Sequence, residues 1–286
     1  MAEIRSVLTS LVHEPLEALG RLLGRRRRRC TVGLALSGGA ARGIAHIGVL
    51  SVLLEAGIVP DLVAGTSAGA LVGALLCRGW SPEQILRMAR GLSLLQLGRF
   101  RLRRPGLLDG ARFEALFVSL VGDLTFADLS IPLAAVACDL LTGERLVLRA
   151  GPLAAAVRAS CAIPGIFTPV EMGERLLVDG GLVDHIPIST AREMGADYVI
   201  GVDVHVPSAI CARPRTLLDV LAASYQVVSR NSAVDPAEQA DCLIAPETAC
   251  FEWFRFGSQA DDLFQAGRKA AEAALPRLEA ELERGP

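Results

Sequence analysis

The sequence predicts an α/β fold of three layers, α/β/α, around a mostly parallel central sheet. Three observations carry this reading. Short apolar runs alternate with longer stretches of helical periodicity, the pattern of parallel sheets whose crossovers need a helix. Gly-rich turns join a run to the helix behind it. With 51% hydrophobic residues, the 286-residue chain can bury roughly three quarters of its unfolded surface.

Residues 1–30 read as an appendage and residues 31–286 as one domain, because no Ser- or Pro-rich linker interrupts residues 31 to 275. Ile4, Val7, Leu8, Leu11, Val12, Leu16, Leu19, Leu22 and Leu23 fall at helical spacing, and Pro15 should kink or divide that helix. Arg25 to Arg29 follow. One reading of residues 4–29 is a peripheral membrane anchor, an amphipathic helix with a polybasic patch drawn to anionic lipid. The other is a helix docked on the domain and a solvated Arg linker, favoured by the mixed charges Glu3, Arg5, Glu14, Glu17 and Arg21. The basic run follows the apolar positions, the reverse of a signal peptide. Nowhere do 18 apolar residues run uninterrupted, so no transmembrane helix is expected.

From Thr31, "TVGLALS" reads as a strand, "GGAARG" (Gly38 to Gly43) as a turn, and "IAHIGVLSVLLEAG" as a helix closed by Gly57. "DLVAG" is the next strand, and "SAGALVGALLCRG" a helix stopping near Gly79. Further strands are expected at Ile131 to Leu140, Arg145 to Arg149, Arg175 to Gly181 and Ala196 to Val204. Helices are expected near residues 82–91, 110–121, 152–160, 187–194, 216–230 and 259–283. There is no internal repeat.

The net charge of −2 lacks the basic balance of a nucleic-acid binder. Seven cysteines, odd in number, widely spaced and without C-x-x-C, suggest neither a disulfide framework nor a zinc site, and fit a reduced cytoplasm. No metal and no cofactor are expected.

The chemistry starts at Ser67, in "GTSAG" between Gly65 and Gly69. A nucleophile elbow places serine on a sharp strand-to-helix turn where only small neighbours fit. A tight turn needs small residues without any chemistry too. The loop Gly38 to Gly43 follows the preceding strand, so a right-handed crossover brings it to the same sheet edge. Glycines there let backbone N–H groups approach a developing oxyanion. Phosphate readings fail: Ala40 replaces a fingerprint glycine, and Ile44 and Ala45 stand where a P-loop has Lys and Ser or Thr. Arg42 reads equally as an anion stabiliser or as a brace for the loop.

Serine needs a base. His13 lies in the appendage and His46 in the first helix, while His205 suits a Ser67, Asp179, His205 order and His185 is also possible. The alternative is a carboxylate acting directly, Asp179 in "DGG" with Gly180 and Gly181, which needs burial to raise its pKa. Asp179 alone also fits an ordinary Asp-Gly turn.

Together, "LALSGGAARGIAHIGVLSVLLEAGI", "VAGTSAGALVGALL", "ASCAIPGIFTPVEMGERLLVDGGLVDHIPISTAREMGADYVIGVDV" and "FEWFRFGSQADDLFQAGRKAA" resemble the bacterial patatin-like phospholipases. The small stand-alone members related to the catalytic domain of neuropathy target esterase are the most similar. The resemblance runs from about Thr31 to Ala274 and implies a patatin-like catalytic domain. It implies Ser67 as nucleophile, Asp179 as base without histidine, and an oxyanion loop of Gly38, Gly39, Ala40, Ala41, Arg42 and Gly43. Gly65, Gly69, Gly180 and Gly181 support the motifs. Asp184 and His185, where members usually carry asparagine, and Ser37, where they often carry glycine, are departures that bear on the base and the loop.

Two further stretches lie near such a site. "RFRLRRPG", Arg99 to Gly106, reads as a lipid-headgroup contact or a solvated loop; "FEWFRF", Phe251 to Phe256, as an interfacial patch or as packing under the last helix. The expected function is a serine lipid acyl hydrolase, of phospholipase A, lysophospholipase or esterase type, in the cytoplasm and, through residues 4–29, on the cytoplasmic face of a membrane. The partner is a lipid acyl ester; no nucleic acid is expected. Two alternatives stand beside it: a membrane-associated regulatory or scaffold protein with little turnover, and an acyltransferase using the same acyl-enzyme.

Overall fold

The computed structural model describes residues 30–100, 106–205, 213–231 and 240–284. Residues 4–29, read as anchor or docked helix, lie outside these. Among the described residues no helix is long and apolar enough to cross a membrane, and no cluster of three or more metal-ligating side chains occurs.

The first half alternates as expected: β1 (Val32–Leu36), α1 (Ile44–Glu55), β2 (Leu62–Thr66), α2 (Ala68–Cys77) and α3 (Pro82–Arg90). After a helical turn at Leu94–Leu97, the two-residue strands β3 (Arg99–Phe100) and β4 (Leu108–Asp109) pair with each other, and α4 (Ala111–Val121) follows. Then come β5 (Leu133–Asp139), β6 (Arg145–Leu148), α5 (Leu153–Ser160), β7 (Val170–Met172) and β8 (Arg175–Asp179). The chain continues through α6 (Ile188–Glu193), β9 (Tyr198–Val202), α7 (Leu217–Asn231), β10 (Cys242–Ile244) and α8 (Ala260–Arg284). Strands β3, β4, β7 and β10 are too short to show a period in the sequence.

The main sheet runs β10-β9-β1-β2-β5-β8-β7, with β6 also on β5. It is mixed. The pairings from β10 to β5 are parallel, and those of β5 with β6 and β8, and of β8 with β7, are antiparallel. Strands β1, β2, β5 and β9 are buried along their length, as strands covered on both faces must be. Because side chains alternate, Ala35, Leu62, Ala64 and Val199 pack with Ile188 and Ala191 of α6. On the opposite face Leu36, Val63 and Leu133 crowd Gly73 of α2.

One consequence of register positions the site. Strand β6 follows residues 135–138 of β5 along one edge. Strand β2 pairs with residues 133–136 and β8 with residues 137–139, so both lie on the other edge, end to end. Thr66 stands opposite Val136 and Asp179 opposite Ala137. Two strands arriving from opposite directions thus stop against neighbouring residues of a third.

Helix α1 is buried on nearly every side, and α8 crosses it at backbone contact. A Cβ on Gly48 would lie 2.0 Å from the Phe264 carbonyl oxygen, and one on Gly267 2.0 Å from that of Ala45. Gly267→Ala is expected to cost about 3 kcal/mol in urea unfolding, the upper end of overpacking because the obstacle is backbone. Gly91→Ala, where a Cβ meets only the Met88 oxygen at 3.5 Å, serves as control and should change stability by no more than about 0.5 kcal/mol.

Candidate active site

Ser67 occupies the turn from β2 into α2 with φ 53° and ψ −120°, a left-handed conformation that costs a non-glycine residue about 1–3 kcal/mol and persists only where neighbours over-determine it. They do so here. A Cβ on Gly65 would lie 2.6 Å from the Ala70 nitrogen, and one on Gly69 2.3 Å from the Leu36 oxygen. The Ser67 N–H donates to Ser160 Oγ at 2.8 Å, and the Ser160 hydroxyl donates to the Val136 carbonyl at 2.6 Å. The Thr66 hydroxyl donates to the Asp184 carbonyl at 2.9 Å. The serine faces the positive end of α2.

Asp179 ends β8 and is fully buried. Its neighbour Gly180 has no room for a side chain, since a Cβ would lie 2.3 Å from the Val136 oxygen. Oδ1 accepts the Gly181 N–H at 3.0 Å and the Tyr225 O–H at 2.6 Å. Oδ2 has no hydrogen bond of regular geometry. Burial pushes the carboxyl up to about 6, against the pull of the nearby Ser67 hydroxyl, Tyr225, the Gly181 N–H and the charge of His185. Cys161 also reaches the Ser67 hydroxyl, but burial drives its thiol well above the usual range, so it stays protonated and unreactive.

The Gly-rich loop lies over the serine: a Cβ on Gly38 would be 3.5 Å from that of Ser67, and one on Gly43 2.4 Å from that of Ala68. Its amides are unequal. The Gly38 N–H donates to the His185 carbonyl, Ala41 to Trp253 and Arg42 to Gly39, and Gly43 is folded into the 3-10 turn Ala40–Gly43. Of the loop expected to hold an oxyanion, Gly39 and Ala40 keep N–H groups with no acceptor among the described residues. Ala40 has φ 49°, a second strained residue beside the first. Of the two roles read for Arg42, the geometry shows the brace: its guanidinium donates to the Phe251 and Ala249 carbonyls at 3.1 and 2.8 Å.

No histidine among the described residues hydrogen-bonds to Ser67 or Asp179. His46 donates from Nε2 to the Ser37 carbonyl at 2.9 Å, and burial pushes its pKa down to about 4. His205 Nε2 meets Gln226 Oε1 at 3.2 Å. His185 sits beneath the loop, its Nε2 3.4 Å from Asp203 Oδ1. The Asp184 carboxylate pairs with Arg145 at 3.0 Å, away from the base. Ser37 ties β1 to β9, accepting the Val204 N–H and donating to the Gly38 carbonyl, both at 3.0 Å.

An apolar pocket opens at Ser67, lined by Ala40, Leu71, Phe113, Ile163, Phe167 and Phe254. "FEWFRF" is therefore divided: Trp253 is buried against Tyr225 and His205, whereas Phe254 and Phe256 line the pocket. Of "RFRLRRPG", residues 101–105 lie outside the described residues, and Gly106 packs against Phe167 and Thr168. Sequence reasoning missed Ser160 and Tyr225. Ser160 lies in "ASCAIPG", quoted above, but a serine on a helix carries no signal of the strand carbonyl it will meet.

Residues 34–192 match the model of the family described as patatin-like phospholipase. An uncharacterized NTE family protein of Mycobacterium tuberculosis is 30% identical over 295 residues, covering 94% of this chain and 50% of that protein. Neuropathy target esterase sws of Drosophila melanogaster is 34% identical over 182 residues, covering 61% of this chain and 13% of that protein. The chain spans about half the length of the mycobacterial relatives it matches. Among solved structures, VipD from Legionella pneumophila superposes with a TM-score of 0.61 at 15% identity, over 87% of this chain and 67% of that one, a likeness of fold.

A raised carboxyl has a stability consequence. With Asp179 pushed up to about 6 in the fold, above the 3.8 of an ordinary aspartate, the folded state is favoured below about pH 4 and loses that favour as pH rises through about 6. Asp179→Asn removes the buried charge. The variant should be more stable than the parent by about 3 kcal/mol at about pH 8, a gap that closes toward about pH 4. Urea unfolding at several pH values measures it.

Proposed function

We propose that this chain, which belongs to the patatin-like phospholipase family, is a serine hydrolase of lipid acyl esters that works through a Ser-Asp dyad and an acyl-enzyme. One observation carries the reading: a serine that lines an apolar pocket and is held on a strained strand-to-helix turn adjoins a buried carboxylate of raised pKa.

Asp179 takes the Ser67 proton, and the serine oxygen attacks the acyl carbonyl. The apolar pocket suits an acyl chain, and burying each methylene there contributes about 0.8 kcal/mol. The charge that forms on the carbonyl oxygen is held by the N–H groups of Gly39 and Ala40, with that of Ala68 at the start of α2; each such donor is worth about 3–4 kcal/mol in the transition state. Asp179 then gives the proton to the leaving alcohol and activates a water to release the acid. A base near 6 is ionised at neutral pH yet basic enough to accept a proton, the compromise general-base catalysis needs. The wall also holds Arg158, paired with Glu114 at 2.8 Å.

The test is intact-mass labelling with a fluorophosphonate, which reacts with activated serines, on the parent and on Ser67→Ala and Asp179→Asn. A single adduct lost in both variants is the expected result. An unlabelled parent, with vesicles or detergent present, would sink the reading and favour the regulatory alternative. Ser67→Ala should lower turnover on the order of a million-fold, as in other serine hydrolases. In the parent, kcat/KM should rise through an acidic limb near 6, because only the ionised Asp179 accepts the proton.

A further inference from the structure

The D-G-G turn contains a fit that the acyl-transfer steps do not use. Tyr225 reaches inward from α7, and its hydroxyl donates to Asp179 Oδ1 at 2.6 Å. A Cβ on Gly181 would lie 2.1 Å from that same hydroxyl oxygen and 3.1 Å from ring Cζ. The second glycine of the motif is thus the space that the tyrosine hydroxyl fills. The ring packs on Trp253, with centroids 5.6 Å apart, and the Trp253 carbonyl accepts the Ala41 N–H. A single aromatic pair therefore spans the base and the Gly-rich loop.

We propose that Tyr225 is a positioning residue for Asp179, and that Gly181 is glycine because the tyrosine hydroxyl stands where its side chain would be. The terminal torsion of aspartate is soft. Two donors on Oδ1, Tyr225 from one element and the Gly181 N–H from another, fix its plane. Oδ2 is left for Ser67. A hydrogen bond from O–H to a carboxylate is short and strong, and it favours the charged form. Tyr225 stays a donor because burial and the Asp179 charge raise its own pKa far above the usual phenol range. The other titratable groups facing Asp179 are Cys138 on β5 and Cys161 after α5, both raised by burial, and His185 in the loop after the motif.

The inference rests on Asp179 being the base, so Asp179→Asn is the reference. Hydrolysis of a short-chain p-nitrophenyl ester is measured against pH for the parent, Tyr225→Phe, Gly181→Ala and the double variant. Tyr225→Phe should lower kcat about ten- to a hundredfold, the weight of one hydrogen bond to a charged group, with KM little changed. Its acidic limb should move up by about one pH unit. Gly181→Ala displaces the hydroxyl and should show the same loss and the same shift. The double variant should be no worse than Gly181→Ala alone, because the alanine methyl then enters space the hydroxyl has vacated. Non-additivity of this kind marks a shared interaction.

A Tyr225→Phe enzyme with the parent's limb, or single losses that multiply in the double variant, would overturn the inference while Asp179→Asn remained inactive. A fully active Asp179→Asn would instead overturn the dyad itself. Thermal unfolding checks each variant, and if Tyr225→Phe fails to fold, the limb of Gly181→Ala decides.

Discussion

The end-to-end meeting of β2 and β8 along one edge of β5 is the constraint on which the rest of the site depends. The Val136 carbonyl sits at that junction. It accepts the Ser160 hydroxyl, and it excludes a side chain from Gly180. Ser160 in turn holds the Ser67 N–H. Serine and aspartate, 112 residues apart in number, are therefore placed by the hydrogen bonding of one strand, and neither needs a histidine to be brought to the other.

Around this junction the structure pairs strain with restraint. Ser67 and Ala40 both occupy left-handed backbone, and each is held from outside its own loop. The segment from Ala249 to Trp253 supplies three carbonyls to the Gly-rich loop, two to the Arg42 guanidinium and one to the Ala41 N–H. The remaining pair of amides, Gly39 and Ala40, has no acceptor among the described residues. In the proposed function, these two amides beside the strained serine are the donors that meet the charge formed during reaction. The carboxylate follows the same logic: burial raises its pKa, while the bonds from Tyr225 and Gly181 keep the ionised form within reach.

The relation to the patatin-like phospholipase family accounts for the motifs over residues 34–192. Tyr225 and the carbonyls of Ala249 to Trp253 lie beyond that range and complete the site from the C-terminal side. The departures noted in sequence take structural roles. Ser37 joins two strand ends, the Asp184 carbonyl holds Thr66 while its carboxylate pairs with Arg145, and the His185 carbonyl takes up the Gly38 amide.

The sequence by itself determined the α/β class and most of its elements, because short apolar runs and helical periods are local properties that each segment carries alone. It also marked small residues at the site: Gly65 and Gly69 were legible as a crowded turn, and Gly180 and Gly181 as a tight one, before anything showed what approached them. Only the tertiary structure decided that the sheet is mixed, since strand direction depends on where the chain returns after β5. It alone decided which loop amides find an acceptor among the described residues, what Arg42 grips, and that Tyr225 fills the space beside Gly181. Those are contacts between segments distant in the chain, and hydrogen-bond partners of that kind leave no periodicity for a sequence to display.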